Sequence, residues 1–407
     1  MIIIDKLLEK LEIEGKPIRV GLVGAGFAAR GFALQLLTLQ KGIKLVAVAN
    51  RTVEHAKELL QENGFDQKKY SITDNAEFLC SSGDIDVIIE ATGEVEFGAK
   101  VALSAIKNGK HIILINAELD GTLGPILKSY ADKKGVIYSQ ADGDQPAKLM
   151  NLYREVKSLG FKPILLGNIK SLIDHYRTPE TQANFARAHF QRPKHITSFA
   201  DGTKISFEMA TAANATGFKV DRRGMTGPSC ARVEEAAKLF PIEKLLKRGW
   251  VDYILGAEPS FGVFVLGYSE NPIRQKYMKV YKMGDGPVYT FYTPYHLSPL
   301  EAPLTVARAY LFKDAALAPT GKFCDVITIA KKDLKKGERL DGIGGFTCYG
   351  TIENSEVATK ENLLPMGLSE NCILRKDIPK DTAIKFSHVS LPQNRISDKL
   401  WKEQQSL

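Results

Sequence analysis

The chain has 407 residues, of which 44% are hydrophobic and 25% charged, and this ordinary globular balance excludes a fibrous or largely disordered protein. A chain of this length usually divides its core among two or three domains. The 55 basic and 47 acidic residues leave a formal net charge of +8, but the basic residues are scattered and are not interleaved with aromatic residues. We therefore expect a solvated surface with some attraction for anionic ligands, and no nucleic-acid partner.

The N-terminus and the cysteines bear on the compartment in which the protein works. The apolar residues 2–4 are followed at once by charged residues, and this run is too short for a secretory signal. No apolar stretch reaches the roughly 18 residues that a membrane helix needs. The five cysteines are odd in number and widely spaced, which favours reduced thiols over disulfides or a zinc site. We predict a cytoplasmic protein without a membrane partner.

Strand and helix patterns alternate through the first part of the chain, after a short helix within residues 1–14. Apolar, β-branched runs predict strands, and the longer segments between them predict helices. This alternation implies right-handed crossovers and a parallel sheet covered on both faces, which is a Rossmann-type doubly wound α/β fold. The predicted strands are 18–23, 45–49, 86–90, 111–115 and 136–139, and the predicted helices are 27–40, 53–63, 97–108 and 125–134.

The pattern changes twice further along the chain. After residue 147 it becomes irregular, as expected of a mixed α/β domain, with a strand-rich stretch at 277–295 and a helix at 304–311 that packs back on the first domain. Short β-like runs from about residue 324 predict a small β-rich domain. The other predicted elements are helices at 149–159 and 201–218 and a strand at 326–330. The predicted domains are 1–147 for dinucleotide binding, 148–322 for catalysis, substrate binding and dimerisation, and 323–407 for the β-rich domain.

A glycine turn follows the first predicted strand and opens the next helix. Gly24, Gly26 and Ala29 have the dinucleotide spacing G-x-G-x-x-A. The first glycine permits the tight turn, the second lets the backbone approach a pyrophosphate, and the alanine keeps helix and strand close. The helix N-terminus, at Phe27 and Ala28, offers free N–H groups to the phosphates. We predict a dinucleotide site here in preference to a bare turn.

The residues after the predicted strands 45–49 and 86–90 refine this site. An NAD site usually has an acidic residue after the second strand, whereas this chain has Asn50, Arg51 and Thr52. Because an arginine can pair with a 2′-phosphate, we predict NADPH as the cofactor. The alternative is that Arg51 is merely solvated and that Thr52 caps the next helix. Thr92 and Gly93 either let the nicotinamide ribose approach or form a simple turn.

Polar side chains also follow the predicted strands 111–115 and 136–139, and parallel sheets bind ligands at the carboxyl ends of their strands. Asn116, Glu118 and Asp120 come directly after one strand, and Asp142 and Asp144 after the other. Clustered carboxylates bind divalent cations or act as acid and base. The sequence leaves open whether Mg²⁺ or Mn²⁺ is required. For Asp144, capping of the next helix is the preferred interpretation.

A second group of candidate residues lies on the predicted helix 201–218. Helical spacing puts Lys204, Glu208 and Thr211 on one face. A lysine near a carboxylate in a pocket can protonate a carbonyl oxygen as hydride arrives. The same spacing is typical of a surface ion pair, and spacing alone favours that interpretation.

Both groups occur with further motifs along nearly the whole chain. In this combination the chain resembles the homoserine-dehydrogenase-related NAD(P)-dependent oxidoreductases that carry a C-terminal SAF domain. It is most similar to the 1-deoxy-D-xylulose 5-phosphate reductoisomerase-like enzymes of isoprenoid biosynthesis. Residues 337–346 look like the core of the SAF-like domain. The other matching segments are 24–26, 116–124, 143–147, 201–204 with Glu208, 214–217, 223–225, 282–287 and 294–297.

The resemblance implies that the enzyme rearranges a ketose phosphate and reduces it with NADPH. The reaction is 1-deoxy-D-xylulose 5-phosphate to 2-C-methyl-D-erythritol 4-phosphate, or a related one. In the related enzymes a lysine follows the asparagine of the motif after strand 111–115, whereas this chain has Ala117. Lys204 is then the best candidate for the proton donor, with Glu118 and Glu208 as carboxylates for proton transfer or metal binding. Asn116 completes the predicted catalytic set.

The remaining expectations concern substrate, partners and rival functions. Asp142, Asn214, Arg222 and Arg223 are assigned to the phosphorylated substrate, and surface charge is the alternative role of the two arginines. Fold-level analogy predicts a homodimer or homotetramer. The alternative function is a plain NADP-dependent dehydrogenase of a polyol, sugar acid or homoserine-like alcohol. A non-catalytic dinucleotide sensor is disfavoured because a sensor needs no proton-transfer residues.

Overall fold

The structure is a computed structural model that describes residues 4–38 and 41–407, and the chain forms two compact units. The first unit comprises Met1–Asp144, Leu297–Ala318 and Asn394–Leu407. The second comprises Gln145–His296 and Pro319–Gln393. Each unit therefore combines segments that are distant in the sequence. The predicted division into three consecutive domains is simpler than this, and it stays a prediction.

The bounds of the elements are as follows. The helices are α1 (Ile4–Ile13), α2 (Phe27–Thr38), α3 (Val53–Glu62), α4 (Ala76–Ser81), α5 (Val95–Lys107), α6 (Ala117–Lys134), α7 (Gln145–Ser158), α8 (Pro179–Ala188), α9 (Pro193–Ala200), α10 (Thr203–Thr216), α11 (Ile242–Lys247), α12 (Pro272–Val280), α13 (Ala302–Ala307), α14 (Ser355–Lys360) and α15 (Ile396–Gln404). The strands are β1 (Ile18–Val23), β2 (Ile43–Ala49), β3 (Ser71–Thr73), β4 (Val87–Glu90), β5 (His111–Leu114), β6 (Tyr138–Gln140), β7 (Lys162–Lys170), β8 (Trp250–Leu255), β9 (Val263–Tyr268), β10 (Val288–Thr293), β11 (Cys324–Ala330), β12 (Cys348–Asn354), β13 (Ile373–Leu374) and β14 (Val389–Ser390). Short 3₁₀ turns are Gln67–Lys69, Val233–Lys238, Ser298–Leu300, Met366–Leu368 and Phe386–His388, and a π-helical turn is Arg308–Phe312.

The first unit is built on a six-stranded parallel sheet with the order β3-β2-β1-β4-β5-β6. The strand order runs outward in both directions from β1 and β4, and doubly wound sheets bind ligands at this reversal. β4 and β5 are buried along their whole length, as expected of central strands covered on both faces. The predicted doubly wound α/β fold is confirmed. The predicted helix 27–40 is present as α2 up to Thr38, and residues 39 and 40 lie outside the described residues.

The helix α6 corrects the prediction for the segment after β5. It begins at Ala117, well before the predicted start at residue 125, and Pro125 lies inside it. Its N-cap is Asn116, whose side-chain oxygen accepts a hydrogen bond from the Leu119 amide at 3.0 Å. Glu118 is therefore a residue of the first helical turn rather than of a loop.

Two segments from later in the chain complete the first unit. α13 contributes Val306 and Ala307 to the apolar core that also contains Leu22 and Val48 of the sheet. The predicted packing of the 304–311 helix on the first domain is thus confirmed. α15 packs on α5 and α6, and the predicted 323–407 domain did not separate it from the β-rich region that precedes it.

The second unit has a mixed sheet with the order β10-β9-β7-β8. β7 is parallel to β8 and antiparallel to β9. The predicted strand-rich stretch 277–295 is correct at β10 but wrong in its first part, which belongs to α12. Asn271 caps that helix by accepting hydrogen bonds from the Ile273 and Arg274 amides, and Pro272 occupies the first turn, where proline is favoured.

The rest of the second unit includes two antiparallel strand pairs, β11–β12 and β13–β14. The predicted strand 326–330 lies within β11, and the SAF-like assignment of this region stays a prediction. The predicted helix 201–218 is confirmed as α10, which ends at Gly217 in the left-handed conformation, with φ 79°. Within residues 4–38 and 41–407, we find no helix with the length and apolarity required to cross a membrane.

Candidate active site

The glycine turn between β1 and α2 has room for a dinucleotide. Gly24 has φ +116°, and a Cβ there would lie 2.8 Å from the carbonyl oxygen of Ala91, so this position requires glycine. A Cβ on Gly26 would meet no atom within 4 Å. The backbone at Gly26 therefore borders open space, as a pyrophosphate approaching the N–H groups of Phe27 and Ala28 requires. The residues of this turn fit the predicted cofactor.

The end of β2 presents an exposed arginine. Arg51 and Thr52 are exposed, and the Asn50 side chain donates to the carbonyl of Thr52 at 2.8 Å. Thr52 occupies the N-cap position of α3 without a side-chain cap hydrogen bond. The Arg51 guanidinium makes no ion pair with any residue that the structure describes. It is thus open to an added anion such as a 2′-phosphate.

A carboxylate that was not predicted, Glu90, ends the central strand β4. It is fully buried and accepts hydrogen bonds from the amide and hydroxyl of Thr92, the former at 2.9 Å, and from the Asn116 side chain at 2.8 Å. Burial raises the pKa of Glu90 to about 7, and the charge of Glu118 adds to the rise. A carboxylate at the end of an otherwise apolar strand was the signal that could have identified it.

The Glu90 network determines what Thr92 and Asn116 do. Both atoms of the Asn116 amide are used: its nitrogen donates to Glu90 and to the Glu94 carbonyl, and its oxygen caps α6. Thr92 is bound to Glu90 by two hydrogen bonds, whereas Gly93 is exposed with φ 72°. Asn116 therefore organises the carboxyl ends of β4 and β5, and its predicted catalytic role stays a prediction.

Two other buried carboxylates of the first unit, Asp120 and Asp142, have partners within that unit. Asp142 accepts a hydrogen bond from the Thr305 hydroxyl at 2.9 Å, and its amide donates to the same hydroxyl at 2.6 Å. Asp120 accepts from the Tyr138 hydroxyl at 2.5 Å. These contacts join α13 and β6 to the site edge of the sheet, and the substrate role predicted for Asp142 is untested by them.

In the second unit, β7 and α10 bring polar side chains together. Lys170 donates to the side-chain oxygen of Gln145 at 2.7 Å and lies 3.4 Å from the Glu208 carboxylate. Asn168, two residues before Lys170 on β7, donates to Glu208 at 3.1 Å and to Gln145 at 3.2 Å. Lys204 lies one turn before Glu208 on α10 and is buried. We call Gln145, Asn168, Lys170, Lys204, Glu208 and Thr211 the β7–α10 polar cluster.

The β7–α10 polar cluster has hydrogen-bonding capacity to spare. Three of its buried side-chain atoms, Gln145 Nε2, Asn168 Oδ1 and Thr211 Oγ1, have no hydrogen-bond partner among the described residues. Buried polar atoms rarely lack partners unless a ligand or water supplies them. The cluster therefore includes a donor and two acceptors that can bind a polar ligand.

The sequence missed half of this cluster. Lys204, Glu208 and Thr211 were placed correctly on one face of a helix, but Gln145, Asn168 and Lys170 were not singled out. For Asn168 and Lys170, the available signal was their spacing of two residues near the end of the apolar run 164–170. Residues two apart lie on the same face of a strand.

Three predicted substrate residues already have protein partners in the second unit. Arg223 pairs with Glu353 at 2.8 Å and with Glu361 at 2.9 Å, while Arg222 donates to the carbonyls of Met225 and Thr226. Asn214 accepts from the amides of Phe323 and Cys324. Arg223 is thus already paired with two carboxylates and Asn214 binds the start of β11, and the substrate roles predicted for the three residues stay predictions.

The described residues include no preformed metal site. In residues 4–38 and 41–407, no group of three or more His, Cys, Asp or Glu side chains is placed to hold a metal ion. Glu118 and Glu208, the two carboxylates predicted for metal binding, belong to different units.

Two family models match separate parts of the chain. Residues 18–114 match the oxidoreductase family with an NAD-binding Rossmann fold. Residues 143–302, which include the whole β7–α10 polar cluster, match the catalytic domain of oxidoreductase DRL.

Similar proteins cover shorter stretches. A homoserine dehydrogenase of Neisseria gonorrhoeae is 28% identical over 130 residues, which are 30% of this chain and 28% of that protein. A homoserine dehydrogenase of Methylobacillus glycogenes is 31% identical over 112 residues, which are 26% of each protein. The chain thus spans less than a third of the length of these curated relatives.

Among solved structures, a probable dehydrogenase from Thermotoga maritima is similar at 13% identity with a TM-score of 0.46. The match covers 74% of this chain and 91% of that one. The two family matches are the evidence for an oxidoreductase. Together the two matched segments, one similar to an oxidoreductase NAD-binding Rossmann domain and one to the catalytic domain of oxidoreductase DRL, make up most of this chain and support an NAD(P)-dependent oxidoreductase.

Proposed function

We propose that the protein is an NADPH-dependent oxidoreductase that interconverts a carbonyl and an alcohol group. The observation that carries this proposal is the β7–α10 polar cluster, which lies in the segment matching the DRL catalytic domain. The open glycine turn at Gly26 and the exposed Arg51 support NADPH as the cofactor.

The residues of the second unit divide the work of the reduction. Bound NADPH supplies a hydride to the carbonyl carbon. The carbonyl oxygen then needs a proton, and Lys204 is the donor we propose, because its ammonium is buried on the face of α10 that carries Glu208. Gln145 Nε2 would donate to an oxygen atom of the substrate and Asn168 Oδ1 would accept from one of its hydroxyl groups, with the Lys170 ammonium beside them.

For the substrate, we propose a ketose phosphate, 1-deoxy-D-xylulose 5-phosphate or a relative. Its carbon skeleton would rearrange before the resulting aldehyde is reduced. Rearrangement develops negative charge on an oxygen, which the two ammonium groups of Lys170 and Lys204 are suited to stabilise. The sequence segments that resemble the reductoisomerase-like enzymes support this choice, although Ala117 stands where those enzymes have a lysine.

A plain dehydrogenase without an isomerase step is the second candidate. It is favoured by the similarity of parts of the chain to homoserine dehydrogenases. Its substrate would be a polyol, a sugar acid or a homoserine-like alcohol. The same residues would then act only in hydride and proton transfer.

The test follows the absorbance of the reduced nicotinamide with purified protein, NADPH and 1-deoxy-D-xylulose 5-phosphate, with and without Mg²⁺ or Mn²⁺. We expect NADPH consumption and a branched polyol phosphate as product. Consumption without a branched product, or oxidation of homoserine with NADP⁺, would favour the second candidate. NADPH binding without turnover of any of these compounds would exclude them as substrates.

The matched variants are Lys204→Ala and, as a control, Lys162→Ala, an exposed lysine at the start of β7. Removal of the proton donor should lower kcat by about 10²- to 10⁴-fold and leave the Kd for NADPH unchanged. The Lys162 variant should retain wild-type kcat. If Lys204→Ala kept full activity, the proposed acid would be wrong.

We also propose a homodimer or homotetramer as the assembly. Sedimentation equilibrium of the purified protein measures the assembly directly. A monomer at micromolar concentration would contradict it.

A further inference from the structure

The helix α10, which carries Lys204 and Glu208, is tied to the β11–β12 pair at both of its ends. At its C-terminal end, the Asn214 side chain accepts from the Phe323 amide at 2.7 Å and from the Cys324 amide at 2.9 Å. It also donates to the Cys324 carbonyl at 3.1 Å. The C-terminal end of α10 is thus bound to the start of β11.

At the other end of α10, a buried lysine takes part. Lys331 directly follows β11, and its ammonium lies 2.9 Å from the Asp201 carboxylate, with the two side chains 3% and 0% exposed. It also donates to the carbonyls of Arg177 and Gly345, each at 2.8 Å. An ammonium has three donors, so all three are used and the group has one fixed position.

Asp201 connects the Lys331 ammonium to the first turn of α10. Its second carboxylate oxygen accepts from the amide of Thr203, the first residue of the helix, at 2.9 Å. The Thr203 hydroxyl in turn accepts from the Gly350 amide of β12 at 2.8 Å, and the Ser206 hydroxyl donates to the Gly350 carbonyl at 3.3 Å. Lys204 is the next residue after Thr203, so its backbone is held by these contacts.

A buried ion pair is a weak source of stability, because an apolar pair of similar volume often serves as well. What the Lys331–Asp201 pair provides here is a fixed geometry. The Lys331 ammonium donates to three fixed acceptors and Asp201 accepts from the Thr203 amide, so the first turn of α10 has a single arrangement. A proton donor needs such an arrangement, because a displacement of about 1 Å can lower the rate about 10²-fold.

We propose that Lys331 is a positioning residue of the reaction. Through Asp201 it fixes the first turn of α10 and thereby the Lys204 ammonium, so the β-rich region from β11 onward serves the catalytic helix. This inference rests on the proposed function, because it assumes that Lys204 acts on the substrate.

The kinetic test compares the full-length Lys331→Met variant, the double variant Lys331→Met/Asp201→Asn, and a control, Lys335→Met, which breaks the exposed ion pair with Asp377 in the same region. Lys331→Met should lower kcat at least about tenfold, shift the pH profile of kcat, and leave the KM for NADPH unchanged. The double variant removes the unpaired buried charge, so its thermal midpoint should recover while kcat stays low. Recovery of kcat together with the thermal midpoint, or an unchanged kcat in Lys331→Met, would overturn the proposal.

Hydrogen exchange separates this inference from the proposed function, because it needs no substrate. In Lys331→Met, the amides of residues 204–208 should exchange at least about tenfold faster, while those of β7 stay protected. If the wild-type protein turned over none of the tested compounds, the proposed function would fail. Hydrogen exchange alone would then test whether the Lys331–Asp201 contact holds the first turn of α10. Unchanged exchange in α10 would overturn the positioning role.

Discussion

At the scale of single residues, the charge of Glu90 is sensitive to pH near neutrality. Its carboxyl has no exposed surface, and burial raises its pKa from 4.5 to about 7. Below pH 4.5 the carboxyl is protonated in both the folded and the unfolded chain. Between pH 4.5 and 7 the unfolded chain releases this proton more readily than the folded one. The Glu90 contribution to stability therefore falls as the pH rises through this window.

We predict that Glu90→Gln removes this pH dependence. Relative to the wild type, the free energy of unfolding of the variant should rise by about 2 to 3 kcal/mol between pH 5 and pH 8, since one pKa unit corresponds to about 1.4 kcal/mol. Urea unfolding at the two pH values measures the difference, with Glu77→Gln, an exposed glutamate on α4, as the control. A difference that is equal at both pH values would show that Glu90 is ionised throughout.

The second residue-scale prediction concerns Arg51 and the choice of cofactor. If its guanidinium pairs with the 2′-phosphate, Arg51→Ala should weaken NADPH binding by about ten- to a hundredfold, because hydrogen bonds to charged groups contribute about 1.5 to 3 kcal/mol. NADH has no 2′-phosphate, so its Kd should change little. Lys57→Ala, an exposed lysine on α3, is the control. Equal loss of both cofactors would contradict the role of Arg51, and Kd values from fluorescence titration give the answer.

At this scale, the sequence predicted a residue's role well where few other residue types could fill that role. Gly24 and Gly26 were identified because few residues other than glycine fit such a turn. Glu90 was missed because a buried carboxylate needs partners, and one of them, Asn116, lies 26 residues away and is brought close only by the fold. The pairing of Arg223 could not be seen in the sequence, because its carboxylate partners Glu353 and Glu361 lie more than a hundred residues away.

At the scale of elements, the β1–α2 turn separates two uses of glycine. Gly24→Ala puts a Cβ 2.8 Å from a backbone oxygen at a positive φ, so we predict a loss of stability of about 1 to 3 kcal/mol. Gly26→Ala meets no protein atom, so its thermal midpoint should match the wild type, while NADPH binding should weaken at least about tenfold. Thermal unfolding and NADPH titration of the two variants test this. If Gly26→Ala bound NADPH normally, the cofactor would not approach this turn.

Elements with a regular pattern were predicted, and those set by context were not. The β-α alternation of the first unit predicted five of its six strands and their parallel arrangement, because apolar runs between helices have few alternative arrangements, whereas the short strand β3 was not predicted. β7 was overlooked because its polar residues Asn168 and Lys170 interrupt the apolar pattern, and these same residues belong to the candidate site. The early start of α6 was missed because Pro125 is tolerated inside that helix.

At the scale of the whole molecule, the chain returns at its end to the unit in which it began. α15 packs on α5 and α6 of the first unit, and the Gln404 side chain bridges two backbone groups of α6. It accepts from the Ile126 amide at 3.1 Å and donates to the Thr122 carbonyl at 3.0 Å. These groups flank Pro125, which lacks the N–H that continues a helical ladder. The last helix therefore completes the hydrogen bonding of an interrupted one.

This arrangement predicts that Gln404→Ala destabilises the first unit, although its residue lies next to the end of the chain. Two buried backbone groups would lose their partners, which should lower the free energy of unfolding by about 2 to 4 kcal/mol. The neighbouring Gln405 is exposed, so Gln405→Ala should have little effect.

The chain itself provides the reporters for this measurement, because its two tryptophans lie in different units: Trp401 in α15 of the first and Trp250 in β8 of the second. In the Trp250→Phe background, the fluorescence of Trp401 follows the unfolding of the first unit in urea, and Gln404→Ala should move this transition to lower urea. In the Trp401→Phe background, Trp250 shows how much of the loss reaches the second unit. A Trp401 transition that stayed in place would mean that α6 satisfies its own backbone around Pro125, and that the end of the chain is not needed to complete the Rossmann unit.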